Sequence, residues 1–224
     1  MAPLKPTALL IALSPLVLVL VVWPMRASAV EYEVTFDATW GAATHPSAYP
    51  RGAHFSPLIG ATHDDHVSFW EPGGTASAGI ERMAELGATS TLRSEFLAAG
   101  VSTDAVILDN VVLRSPGSTA ATFDIEPDRP LVTLVTMVAP SPDWFVGVSG
   151  LSLHDGNNWV TELVGPLFSY DVGTDSGPNF TSFNDDTNPR QPIALLGAPF
   201  TGENAAALGT FAFTLQVPEP TSLL

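Results

Sequence analysis

The feature that most constrains this chain is a recurrence of short β-type runs, each bounded by Gly, Pro, Asn or Asp, through most of its length. Residues 31–36 (EYEVTF) alternate polar and apolar side chains with the period of two that suits a strand buried on one face. Further runs of this kind lie at residues 67–70, 105–113, 131–138, 145–153, 159–163 and 211–217. About eight short strands with turn residues between them read as an all-β fold, an antiparallel β-sandwich or barrel. Residues 77–97 break the rhythm. Ile80, Met83, Ala84 and Leu86 recur at helical spacing, and Gly87 stands where a glycine ends a helix. The pattern predicts one short helix there and a second around residues 92–97, lying across one end of the sandwich.

Residues 1–29 are expected to be a signal peptide. Lys5 opens a basic start, residues 8–22 are almost wholly apolar, and Ala27-Ser28-Ala29 has the small-x-small form of a cleavage site. The apolar run is shorter than the ~20 residues of a spanning helix and carries Pro15 in its middle. The domain is then expected over residues 30–217. The chain from residue 30 to 224 holds six Arg, no Lys and 23 Asp and Glu, a net charge of −17. Such a surface repels phosphate backbones and anionic headgroups and attracts cations, so nucleic acid is excluded as a partner and a divalent metal is the natural one. With no Cys, disulfides, thiol catalysis and Cys-ligated metals are excluded.

Carboxylates gather in the second half, between the expected strands. Asp124, Glu126 and Asp128 precede the run at 131–138, Asp143 follows it in Pro140-Ser141-Pro142-Asp143-Trp144, and Asp171 and Asp175 lie in residues 170–177 (YDVGTDSG). Loops at one end of a sandwich converge in space although distant in sequence. A hard cation such as Ca²⁺ takes six to eight oxygens, which Asp side chains and bent backbone supply. The same Asp residues also suit turns, where their side chains cap local backbone.

Several longer stretches carry a resemblance. Residues 32–40 (YEVTFDATW), 54–63 (HFSPLIGATH), 70–74 (WEPGG), 83–87 (MAELG), 141–150 (SPDWFVGVSG) and 171–177 (DVGTDSG) together resemble the spondin N-terminal domain family, of the F-spondin and mindin type, from about residue 31 to 193. The resemblance implies a C2-like β-sandwich with a calcium ion at one end, acting in adhesion to extracellular matrix. It implies metal ligands at Asp143 of the SPDW motif and at Asp171 and Asp175 of the D-x-G-T-D motif. A further upstream acidic ligand corresponds by spacing to Asp124, with Glu126 close by. Animal members carry cysteines near the segment that here reads Leu153-His154-Asp155-Gly156, and are joined to thrombospondin-type repeats; this chain has no Cys. It resembles a bacterial, free-standing version. Residues 218–224 (PEPTSLL), after Val217, resemble the start of a PEP-CTERM sorting signal truncated at Leu224.

Other chemistry finds little support. His63-Asp64-Asp65-His66 suits a transition metal only if the imidazoles converge. There is no G-x-S-x-G elbow, Walker loop or dinucleotide fingerprint, Gly147-Val148-Ser149-Gly150 being a near miss inside an expected strand. Trp40, Trp70, Trp144 and Trp159 suit either a core or a sugar-stacking face, and all but Trp159 fall in the family stretches. The expectation is therefore a secreted or surface protein of a Gram-negative bacterium, a calcium-binding adhesion module without catalysis. Its partner is an extracellular protein or polysaccharide, with surface or matrix association and no membrane span in the mature chain. The alternative is a carbohydrate-binding or carbohydrate-active protein of the exopolysaccharide matrix.

Overall fold

The computed structural model describes residues 28–216, so the expected signal peptide, almost in full, and the 218–224 motif lie outside the described residues. In chain order the elements are β1 Val30–Ala38, β2 His54–Phe55, β3 Ile59–His63, α1 Ala78–Leu86, α2 Ser90–Ala98, β4 Thr103–Leu108, β5 Leu113–Arg114, β6 Gly117–Ile125, β7 Leu131–Ala139, β8 Trp144–Ser152, β9 Glu162–Leu167, β10 Tyr170–Asp171, β11 Ala194–Leu195 and β12 Gly209–Gln216. They form an antiparallel sandwich of two sheets. One has the order β6-β1-β12-β9. The other runs β11-β10-β8-β7, and along the free edge of β7 the strands β2 and β3 follow one another, each carrying one outer partner, β5 and β4.

Alternation sets the core. In β1, Tyr32, Val34, Phe36 and Ala38 are buried while Glu31 and Asp37 face water, and Phe211 and Phe213 do the same in β12. Opposite them, β7 sends Val132, Leu134 and Val138 into the space between the sheets. Its other face is covered too, with Val135, Met137 and Ala139 packed in a second cluster with Ile80, Met83 and Ala84 of α1 and Leu92 and Phe96 of α2. The helices thus lie on the outer face of the larger sheet rather than across one end of the sandwich. Burial on both faces calls for a near-continuous apolar run, and β7 is one, broken only by the buried Thr133 and Thr136. Gly60 of β3 and Gly147 of β8 flank β7 so closely that a Cβ would stand 2.3 Å from the Thr133 carbonyl and 2.5 Å from the Leu134 carbonyl.

Both helices form where the periodicity put them. Ser77 Oγ accepts from the Ile80 amide at 3.2 Å, and Gly87 closes α1 at φ +64°. Glu95 of α2 completes the start of α1, accepting from Ser77 Oγ at 2.6 Å and from the Gly79 amide at 2.7 Å. A carboxylate at that position also complements the positive end of the helix dipole.

Three expected strands are displaced. Residues 67–70 form no strand; Trp70 instead turns inward, with its ring centroid 4.9 Å from that of Phe145 and 5.1 Å from that of Tyr170. The single run at 105–113 is split between β4 and β5, because Asn110 sits at φ 57° and the Asp109 carboxylate accepts from the Leu58 and Val111 amides at 2.8 and 3.0 Å. The run at 159–163 starts later, at Glu162, while Trp159 forms only an isolated bridge to His154.

Candidate metal centre

The connection between β7 and β8 is four residues, Pro140-Ser141-Pro142-Asp143. Asp143 closes it, fully buried, as the Ser141 hydroxyl accepts from the Trp144 amide at 3.1 Å. In the neighbouring strand β10, Asp171 pairs in register with Trp144, one residue along from Asp143, near enough for its charge to act on the Asp143 carboxyl. The chain then turns at Gly173, φ +78°, and brings Thr174 and Asp175 back over Asp143. Only Gly fits there, since a Cβ would meet the Gln191 carbonyl at 2.3 Å.

Asp143 Oδ2 accepts from the Thr174 and Asp175 amides at 2.8 and 3.1 Å, and Thr174 Oγ1 lies 3.4 Å away. Asp143 Oδ1, buried, has no hydrogen-bond partner. Asp171 Oδ1 accepts from the Gly173 amide at 2.8 Å. Asp175 is 5% exposed and is held at both oxygens, by the Gly177 amide at 2.7 Å and the Asp185 amide at 3.2 Å. A strap of residues 184–191 packs over this turn, with the Thr187 amide donating to the Thr174 carbonyl at 2.8 Å and an isolated bridge between Asp175 and Asp186.

The electrostatics follow from this crowding. Burial, with the nearby Asp171 charge adding to it, raises the Asp143 pKa to about 6 against the pull of the two amides. Burial also raises that of Asp171, helped by the charge of Asp175. Glu85, near the end of α1, is raised by burial and by Glu81, Asp175 and Asp186. The charges of Asp171 and Asp175 therefore act on Asp143, whose buried Oδ1 has no donor, while Glu85 faces Asp175 from the side of α1. A buried carboxylate oxygen without a proton or a cation is costly, and carboxylates with nearby bent backbone are the donor chemistry of a hard divalent ion. Among the described residues, however, the oxygens of Asp143, Asp171 and Asp175 do not all lie within 4.8 Å of one another, as the ligand atoms of the exposed Asp64, Asp65 and His66 do.

The structure places Asp143, Asp171 and Asp175 near enough for their charges to act on one another and leaves Asp124 apart. Asp124 lies within β6, exposed, and pairs with Glu31 on the outer sheet. Glu126 and Asp128 are in the turn leading into β7, where Glu126 pairs with Arg129. Asp143 follows the far end of that nine-residue strand, about 30 Å along. Spacing along the chain misled here because β7 carries the backbone from one end of the sandwich to the other. Glu85 and Asp186 were not singled out from the sequence. The one signal for Glu85 was its place in the family stretch at residues 83–87.

His63 is buried and in place as a structural residue, its ring nitrogens 2.7 Å from the Asp64 carbonyl and 2.8 Å from Thr133 Oγ1. It does not converge with His66, whose ring lies on the surface beside Asp64 and Asp65. Trp40, Trp70 and Trp144 are buried, and Trp159 is partly covered against Tyr32 and His154, so the four do not form a stacking face.

An antiparallel sandwich with one helical flank and acidic loops gathered at one end defines the class of this protein. Comparison with known proteins gives the family: residues 30–207 match the Spondin_N profile, and the chain belongs to the spondin N-terminal domain family. It is 36% identical over 173 residues to spondin-2 of Rattus norvegicus, covering 75% of this chain and 52% of that protein. It is 37% identical over 169 residues to spondin-2 of Homo sapiens, 73% and 51% of the two chains, and 36% identical over 174 residues to spondin-1 of Bos taurus, 74% and 22%. The chain thus spans about half the length of the spondin-2 relatives. Among the described residues no helix is long and apolar enough to cross a membrane.

Proposed function

We propose that this protein is a secreted calcium-binding module of the extracellular-matrix or adhesion type, without catalytic activity, in which Asp143, Asp171 and Asp175 hold one Ca²⁺. The observation that carries the reading is Asp143 Oδ1, a buried carboxylate oxygen without a donor, on which the charges of two further carboxylates, Asp171 and Asp175, act. The ion would neutralise the repulsion among these groups and tie the β7–β8 connection to the 171–177 turn. The resulting stiff end of the sandwich would serve as a recognition surface for an extracellular protein or polysaccharide. Family membership supports the matrix-type role, and the export signal expected in residues 1–29 supports secretion. The acidic groups are held by backbone amides rather than by a nucleophile or a histidine, which favours ion binding over hydrolysis.

The test is the melting temperature in EDTA and in 10 mM Ca²⁺. A site of ~0.1 mM affinity, within the range of extracellular modules, adds about 2.7 kcal/mol at that concentration. For a domain of this size that is a rise of about 5–10 °C. The rise should vanish in Asp171→Ala and persist in Asp124→Ala. No rise in the unmutated chain would refute the metal reading.

A further inference from the structure

At the outer edge of the larger sheet, β2 and β5 pair so that His54 stands directly opposite Arg114. Side chains opposed in this way lie on the same face, about 5 Å apart at Cβ. They line a cavity of about 410 Å³ together with Gly52 and Val112. That volume suits a small organic ligand, and it lies within the usual range of about 300–1,000 Å³ for such sites. The turn that opens the cavity is formed by Gly52 at φ +82°, and His54 Nδ1 lies 2.8 Å from the Gly52 carbonyl. A carbonyl only accepts, so Nδ1 carries the proton and Nε2 is the ring atom left for a ligand.

Three features make this cavity unlike the rest of the surface. Arg114 forms no ion pair among the described residues, in a chain where acids outnumber Lys and Arg by 23 to 8. Arg51 adds a further cation one residue before Gly52. The acid closest to the cavity along the chain is Asp109, and it is occupied, accepting from the Leu58 and Val111 amides and, at 3.2 Å, from Thr119 Oγ1. Beside Arg114 stands an exposed apolar side chain, Val112, 61% exposed.

We propose that this cavity binds a small carboxylate with an aliphatic substituent, the carboxylate taken by the Arg114 guanidinium and the substituent laid on Val112, with His54 Nε2 placed to accept from a donor on the ligand. The planar guanidinium matches a carboxylate in a two-point fork. A single negative charge is favoured over a phosphate because the −15 net charge of the chain repels multiply charged anions more strongly. The site shares no residue with the acidic loops and stands independently of the metal reading.

The experiment is a nuclear magnetic resonance titration of the full chain labelled with ¹⁵N, following the backbone amides of Gly52, Val112 and Arg114. N-acetyl-leucine is the probe, N-acetyl-leucinamide removes the charge, and glucuronate keeps the carboxylate without the aliphatic group. N-acetyl-leucine should shift these amides in a saturable way at millimolar concentration, with and without EDTA. The amide should not shift them, and Arg114→Gln should weaken binding about tenfold or more. Val112→Ser should weaken it less, which separates the apolar contact from the Arg114 charge. Equal binding of the amide, an unaffected Arg114→Gln, loss of binding in EDTA, or no shift at 20 mM would each overturn the proposal. Glucuronate binding as well as N-acetyl-leucine would overturn the role of Val112 and assign the carboxylate site to acidic sugars.

Discussion

Replacing Asp143 by Asn should make the metal-free protein more stable at neutral pH while abolishing its response to calcium. In the fold Asp143 is raised from 3.8 to about 6, chiefly by burial and next by the charge of Asp171. The folded state therefore holds a proton that the unfolded chain releases near pH 4, and stability falls as pH rises through this window. The full difference, about two units, corresponds to about 3 kcal/mol, of which about 2 kcal/mol should be lost between pH 4.5 and 7.5. An amide at this position still accepts from the Thr174 and Asp175 amides through its oxygen, and its NH₂ occupies the place of the partnerless Oδ1. It thus imitates the protonated acid at all pH values. Urea denaturation in EDTA at several pH values, on the parent and on Asp143→Asn, measures the difference directly, with other titrating groups cancelling. The variant should be the more stable at pH 7.5 by about 3 kcal/mol, and the gap should narrow towards pH 4.5. A variant less stable than the parent in EDTA at pH 7.5, or a gap independent of pH, would refute the argument that an uncompensated buried charge sits here.

Other expectations concern the same chain. Glu85→Gln removes a charge facing Asp175 and Asp186, so in EDTA it should raise the melting temperature at neutral pH and reduce the calcium-induced rise, read by calorimetry. Phe96→Ala empties a fully buried position between α2 and the larger sheet, and should cost about 3–5 kcal/mol in urea denaturation. Gly60→Ala places a Cβ 2.3 Å from the Thr133 carbonyl and should cost about 1–3 kcal/mol through forced separation of β3 from β7; wild-type stability would show that the strands separate at no cost.

Legibility in the sequence tracked the physical origin of each element. β1, β7, β8 and β12 were readable because each carries a sustained apolar pattern, alternating where one face is wet and continuous where both are buried. β6, GSTAATFDI, was missed as a strand since small and hydroxyl side chains fill most of it, and its place is decided by nine pairings along β1 rather than by its own hydrophobicity. β3 was missed for a different reason: all five of its residues are buried, so it shows no alternation.

What the sequence by itself determined was the all-β class, both helices with the glycine that ends the first, the strongly acidic composition, and the two motifs bearing Asp143, Asp171 and Asp175. These depend on local periodicity, turn chemistry and composition, which are properties of neighbours along the chain. Only the tertiary structure decided that α1 and α2 cover the outer face of the larger sheet, that Glu85 and Asp186 join the acidic loops, and that Asp124 is an outer strand residue. Each of those depends on which chain segments meet after β7 and β8 pair, and a nine-residue strand moves its two ends about 30 Å apart whatever their closeness in sequence.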